Sequence, residues 1–373
     1  MNNYTIQDVF NKFGKEFTNL HNLSNEQWKV FNAIRKCKTK DLGIHKITCC
    51  ECGETITGYN SCRNRHCPMC QSYVREKWIN NEESYLLDCP YFHIITTVPH
   101  ELNEIALHNK KIFYNVLFKA TSESILELSN DPKWLGAKVG ITSILHTWGQ
   151  TMEFHPHIHS IVTGGGIKDN KWINCNKEYL FKVQVLSSLF RGKFLGLLIQ
   201  EKIKFPKKLE YLSDKKAFNK FLEPLYKKQW ITYIEAPKGS PENVIEYVGR
   251  YAFRVAISNY RIKNIDDNNV TFEYKDYKDD SKIKEATITG IEFIRRFLMH
   301  VLPDYFTKIK HYGLLTNRSK KSTIKLCRIL IGQIIFSNFT SEKIIKRKLI
   351  EFECKECGCK KFNYSFYYKR LYS

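Results

Sequence analysis

Between residues 37 and 70 the chain places seven of its thirteen cysteines among glycines, asparagines, threonines and charged residues, with few large apolar side chains. Such a stretch cannot bury enough surface to fold by itself and needs a staple. Two pairs stand out, Cys49-x2-Cys52 and Cys67-x2-Cys70, separated by 14 residues. Each pair can offer two thiolates to one ion, and two pairs complete the tetrahedron that zinc takes in structural sites. The spacing predicts structural Zn2+ on Cys49, Cys52, Cys67 and Cys70, with Cys50, Cys62 and His66 as spare donors close by. A closed four-ligand ion has no open coordination position, so this module should shape a DNA-contacting surface and perform no chemistry. Arg63 and Arg65, between the knuckles, suit a phosphate contact.

No apolar run reaches the ~18 residues of a membrane span. The opening MNNYTIQDVFNKFGKEF carries acidic residues and lacks the apolar core of a signal peptide. The expectation is a cytoplasmic chain with no membrane partner, whose thiols stay reduced and serve as metal ligands rather than disulfides. Lysine and arginine number 59 against 38 acidic residues, a formal charge of +21, and aromatic residues make up 14%. Basic groups neutralise phosphates while aromatic rings stack on unpaired bases, a pairing that points to nucleic acid.

Along the chain, Val9, Phe10 and Phe13, then Trp28, Phe31 and Ile34, recur at helical spacing and predict two amphipathic helices within residues 1–36. Residues 73–87 return to helix after the cysteine stretch. YFHIITTVP then reads as a strand, residues 100–128 as one long helix, and VGITSILHTWG and HIHSIVTGG as two further strands. A strand, a helix and a strand pair begin a ferredoxin-like split βαβ arrangement. Helices are expected around 183–202 and 214–226, a strand at WITYIEAP, a helix through SPENVIEYVGRYAFRVA, a hairpin from VTFEYKDY and EATITG, and a helix at IEFIRRFLMHVLP. The expected organisation is three consecutive segments: helices and cysteine module at 1–88, an α+β domain with an antiparallel sheet at 89–313, and a helical, basic region at 314–373. The last carries a short cluster, Cys354, Cys357 and Cys359, of open role.

In FHPHIHSIVTGGG, residues 154–166, histidines stand at alternate positions. On a strand His157 and His159 share one face and Ile158 takes the other. A histidine on an apolar strand is often only a hydrogen-bonded core residue, so the neighbours matter. The preceding strand carries His146 and Gln150, and an antiparallel pairing would let either reach the same point as a third ligand, with His155 as a rival. Two or three protein ligands leave coordination positions open, the arrangement of a catalytic cation. Tyr247 and Tyr251 lie four apart on the helix that SPENV begins, hence on one side of it. Val244, Val248, Tyr251 and Val255 also form an ordinary core stripe. Tyr247 stands at its edge beside Arg250 and Arg254, whose guanidinium groups favour phenolate and can hold a phosphate.

Together these stretches resemble the two-tyrosine HUH transposases of rolling-circle insertion sequences, the IS91 type. The resemblance rests on YNSCRNRHCPMCQ, ILHTWGQTMEFHPHIHSIVTGGG, YVGRYAFRVAISNYRI, YKDY and EFIRRFLMHVLPDYFTKIKHYGLL, in family order from about Ala33 to Gln333. Asp304-Tyr305 departs from the family's glycine after the acidic residue, and the C-terminal cysteines map to nothing in it. The resemblance implies a ferredoxin-like HUH nuclease core preceded by a small zinc-binding domain. It implies Mg2+ or Mn2+ on His157, His159 and one further residue, and a tyrosine attack that leaves a 5′-phosphotyrosine and a free 3′-hydroxyl. The implied partners are single-stranded DNA at element ends and target, in a bacterial, nucleoid-associated setting. A replication initiator or relaxase with the same histidines, and a zinc-ribbon DNA-binding protein without catalysis, are the alternatives.

Overall fold

The computed structural model describes residues 4–175, 180–236, 249, 252–253, 255–332 and 353–367, with only the backbone of Ser72 and Tyr73. Two compact units are present. One comprises Met1–Val74, Phe253–Val301 and Ser337–Ser373; the other comprises Arg75–Ala252 and Leu302–Phe336. They are not consecutive in sequence, unlike the three segments expected at 1–88, 89–313 and 314–373.

The interleaving has a plain cause in the first unit. Helices α1 (Ile6–Leu20) and α2 (Asn25–Lys36) begin at Thr5 and Ser24, each closing a capping box with the residue three places on. The apolar face of α1, with Val9, Phe10, Phe13 and Phe17, is buried. Phe10 meets Phe31 of α2, and also Phe297, ring centroids 5.4 Å apart. Phe297 comes from a much later helix, Gly290–Met299, so the N-terminal helices complete their core with a segment from the far end of the expected central domain. That helix follows a sheet of β8 (Ile262–Ile265), β9 (Asn269–Asp276) and β10 (Lys282–Thr289), the last two being the expected hairpin.

A second small sheet lies in the same unit, ordered β12 (Phe362–Tyr367), β1 (Ile44–Cys49), β2 (Thr55–Tyr59), all antiparallel. The region after 314 was expected to be helical. Helix Lys320–Ile331 fits that expectation, whereas residues 353–367 turn and then form β12. The units divide within α3 (Pro68–Glu83).

The second unit is built on β3 (Tyr91–Thr97), β4 (Lys138–Trp148), β5 (Phe154–Lys168) and β7 (Thr232–Glu235), with β11 (Ile309–Gly313) beside β4 and β6 (Lys171–Asn174) paired to the end of β5. The order β4-β5-β3-β7 is antiparallel throughout, so β3 and β4 run parallel with β5 between them. With α4 (Asn103–His108) and α5 (Lys110–Asn130) in the first connection, and α6 (Val183–Ile199) and α7 (Lys215–Lys227) in the second, this is the ferredoxin-like βαββαβ order and an α+β fold. The long helix expected over 100–128 is broken at Asn109. Its side-chain amide donates to the carbonyls of Ile105 and Lys204 and its side-chain oxygen accepts from the Lys204 N–H, a local alternative to helical bonding.

Alternation assigns the two faces of the sheet. Phe92, Ile94, Ile141 and Val162 pack with Ile125 and Leu128 of α5, and the Thr96 and Thr121 hydroxyls bond at 2.7 Å. His93, His146, His157 and His159 therefore stand on the face turned away from α5.

Candidate active site and metal centres

The pairing register sets the histidines. His146 lies directly across from His157, His159 is paired with Ile144 and Ile95, and His93 with Ile161 one step along β3. Between His146–His157 and Trp148–Phe154 the register shifts, and β5 spends one residue more than β4, at His155-Pro156. Proline has no N–H for a ladder and is tolerated at such a bulge, which also re-aims the neighbouring side chains.

Ligand atoms of His146, His157 and His159 lie within 4.8 Å of one another. His157 donates its Nδ1–H to the His155 carbonyl at 2.7 Å, which leaves the Nε2 lone pair free to ligate. The Nδ1 of His159 is 2.8 Å from the Nε2 of His93, whose Nδ1 is 3.5 Å from the Glu235 carboxylate. In the tautomer where the carboxylate accepts from His93 Nδ1–H, His93 Nε2 accepts from His159 Nδ1–H, and the Nε2 of His159 is then an acceptor. Those two Nε2 atoms face each other at 3.0 Å. A carboxylate–histidine relay of this kind fixes tautomer and ring orientation behind a metal ligand.

Burial holds the rings neutral, the form that binds metal. It pushes His157 down to about 3, with His155 adding to the effect, and drives His159 well below the ordinary imidazole range, helped by His146. His155 is lowered by burial too, but it contributes its carbonyl and its ring is not among the clustered donors. Gln150 lies in the turn between β4 and β5, where strand alternation no longer governs direction. Among the described residues the cluster holds three imidazoles and no carboxylate, a donor set that suits Mn2+ better than Mg2+, which prefers oxygen.

The cysteines require a correction. Cys49, Cys52, Cys67 and Cys70 do not share one site. Cys67 and Cys70 cluster with Cys37 and Cys62, while Cys49 and Cys52 cluster with Cys354 and Cys357. The β1–β2 hairpin separates the two knuckles. Cys49 and Cys52 lie at its turn, whereas Cys37 precedes its base and Cys62 follows it, about 13 Å away over four strand residues. In the first cluster the Cys70 sulfur is 3.6 Å from those of both Cys37 and Cys62. A tetrahedron with Zn–S near 2.3 Å has sulfurs ~3.8 Å apart, so the donor set fits zinc. Hydrogen bonds from Cys37 and Cys62 hold the Cys70 thiolate far below the usual thiol range, while Cys37 itself is lowered to about 7, chiefly by Cys62.

Sequence reasoning missed His93, Glu235 and the ligand role of Cys37. His93 reads as one more residue of an apolar strand, and its signal is only that it shares alternation with the site face of β3. Tyr247, Tyr251, Arg250 and Arg254 lie outside the described residues. Gly249, between the tyrosines in sequence, is described: it is packed so closely on Ile79 of α3 that a Cβ there would overlap that side chain.

A family described as "Putative transposase" matches residues 140–323, and one described as "Transposase zinc-binding domain", of the IS91 type, matches residues 9–98. The chain is 41% identical over 337 residues to "Putative transposase y4qJ" of Sinorhizobium fredii, covering 88% of this chain and 85% of that one. It is 26% identical over 288 residues to the transposase for insertion sequence element IS801 of Pseudomonas savastanoi pv. phaseolicola, covering 76% and 68%. No solved structure matches it. Cys354 and Cys357 lie outside both family matches. Among the described residues, no helix is long and apolar enough to cross a membrane.

Proposed function

The chain belongs to the IS91-type transposases, DNA-transferring enzymes with a zinc-binding domain, and from that premise we propose that it nicks and rejoins single-stranded DNA at insertion-sequence ends through a tyrosine nucleophile and a 5′-phosphotyrosine intermediate. The observation that carries this reading is the facing pair of Nε2 atoms on His157 and His159, 3.0 Å apart with His146 beside them. With both nitrogens unprotonated, that spacing lets one cation bridge them.

His157, His159 and His146 are the proposed ligands, with Gln150 the alternative to His146. A divalent ion bound there, Mn2+ or Mg2+, would polarise a non-bridging oxygen of the scissile phosphate. The phenolic oxygen of Tyr247 attacks phosphorus, forming the O–P bond as the bond to the 3′-oxygen breaks; the phenol loses a proton and the departing 3′-oxygen gains one. Attack by the 3′-hydroxyl of the joining strand reverses these events. Tyr251 serves the second transfer. Arg250 and Arg254 hold phosphate and favour the phenolate.

The test is incubation of the full chain with single-stranded oligonucleotides from the flanking genomic ends and Mn2+. A denaturation-resistant protein–DNA adduct is expected, largely lost in Tyr247→Phe, less so in Tyr251→Phe. An adduct at the normal level in the double Phe variant would reject tyrosine catalysis.

A further inference from the structure

Cys49 and Cys52, displaced from the expected zinc site, face two cysteines from near the other end of the chain. The Cys49 and Cys357 sulfurs are 3.5 Å apart, as are those of Cys52 and Cys354, and all four ligand atoms lie within 4.8 Å of one another. We propose that these four cysteines bind a second structural zinc ion, which clasps the C-terminal strand β12 onto the N-terminal hairpin.

The two halves of the site are built alike. Cys49-x2-Cys52-Gly53 and Cys354-x2-Cys357-Gly358 have the same spacing. In each the glycine takes a left-handed conformation, φ +75° and +72°, that other residues adopt at a cost. In each the glycine N–H donates to the carbonyl of the first cysteine, at 3.2 and 2.9 Å. The turn so formed points both thiols to one side. The third CxxC behaves differently: Pro68 follows Cys67, no glycine follows Cys70, and the chain continues into α3. Two matched knuckles facing one another, with sulfurs close to the ~3.8 Å of a Zn–S4 tetrahedron, make a closed four-ligand site.

Among the described residues, buried apolar packing gives the sheet around this cluster little support, beyond the Asn60 amide that donates to the carbonyls of Leu42, Ile44 and Tyr367. β12 is exposed along nearly its whole length and β2 is mostly exposed. The apolar cluster joining the turns contains little beyond Cys49, Cys354, Cys359 and Phe362. Ile56, Tyr364 and Phe366 share one face of the sheet and stay exposed, and three short strands that bury so little are marginal in water. Yet β12 pairs with β1 through six residues, from Ile44–Tyr367 to Cys49–Phe362, and Cys50 N–H donates to the Lys361 carbonyl at 3.0 Å. A tetrathiolate ion at the end of that ladder supplies the missing staple and fixes its register.

The experiment measures zinc per chain by elemental analysis in full-length protein carrying His157→Ala and His159→Ala, so that the imidazoles take none. Two zinc ions are expected. Cys354→Ser/Cys357→Ser should lose one, Cys37→Ser/Cys62→Ser should lose the other, and Cys354→His, which keeps a ligand, should retain both. Hydrogen exchange then reads the clasp: residues 362–367 should lose protection in Cys354→Ser/Cys357→Ser while β4 and β5 keep theirs. Zinc content unchanged by Cys354→Ser/Cys357→Ser overturns the site. Loss of one ion with β12 still fully protected overturns the clasp.

Discussion

The first unit gathers thiolates from segments far apart in sequence and holds them at the ends of an exposed hairpin. The second sets its imidazoles on neighbouring central strands of a sheet whose other face is covered by α5. On the proposed function, the contrast separates two uses of metal. Where strands bury almost no apolar surface, the ion is part of the folding free energy, as in small zinc domains. Where the core is already packed, folding builds the donor geometry first, and the ion is free to serve chemistry with open coordination positions.

The largest expected effect tests that contrast directly. Stripping zinc with a strong chelator should abolish amide protection in β1, β2 and β12 and leave β3, β4 and β5 protected, as read by hydrogen exchange. Equal loss in both sheets would erase the distinction.

Next in size is removal of a histidine ligand. His157→Ala or His159→Ala should bring adduct formation below detection at any Mn2+ concentration, while single-stranded DNA binding, which comes from basic and aromatic surface, changes little. The metal-free melting temperature should fall by no more than a few degrees, because the sheet's packed core lies on its other face, against α5. A collapse in thermal stability would assign the histidines to the core.

How much of this could be read from the residues follows the same divide. The apolar faces of α1 and α2 and the strands β3, β4 and β5 are periodic in the sequence, because burial against a core imposes a period. Strands β1, β2 and β12 are short and mostly exposed, so the alternation in FNYSFY points to no buried partner, and their pairing joins residues some 300 positions apart. CxxC spacing identified the knuckles but not their partners; Cys37 and Cys62, in no CxxC pair, were invisible to it. The glycine after Cys52 and Cys357, absent after Cys70, was the available clue. His157 and His159 were legible through alternation, whereas His93 and Glu235 depend on β3 pairing with both β5 and β7.

A smaller effect is expected behind the ligands. His93→Ala and Glu235→Gln leave the three clustered imidazoles in place and loosen the orientation of His159. Each should weaken Mn2+ binding roughly 10- to 100-fold, with cleavage recovering at high Mn2+. Titration of adduct yield against Mn2+ distinguishes this from a ligand loss, which no concentration repairs. An unchanged half-saturation in both variants would remove the relay from the site.

The smallest effect sharpens the comparison inside the first unit, whose helices have an apolar core that the metal-held strands lack. Glu292, in the helix Gly290–Met299, accepts from Arg295 at 2.6 and 2.8 Å and from Arg296 at 2.7 Å. Arg295 first, with Arg296, lowers its carboxyl to about 2. A depressed carboxyl stabilises the fold above its unfolded pKa, near 4.5, and that contribution is lost as pH falls from there toward 2. The side chains are partly exposed and solvent screens them, so Glu292→Gln should cost only ~0.3–1 kcal/mol at neutral pH. The gap between variant and parent should close on acidification, and zinc removal should leave it unchanged at neutral pH, because these groups ride on a helix whose Phe293, Ile294, Phe297 and Leu298 are buried in the apolar helical core. Chemical denaturation of both proteins across that pH range, with and without chelator, measures it; a gap that vanishes with the zinc would mean that the helices and the cysteine strands fold as one metal-dependent unit.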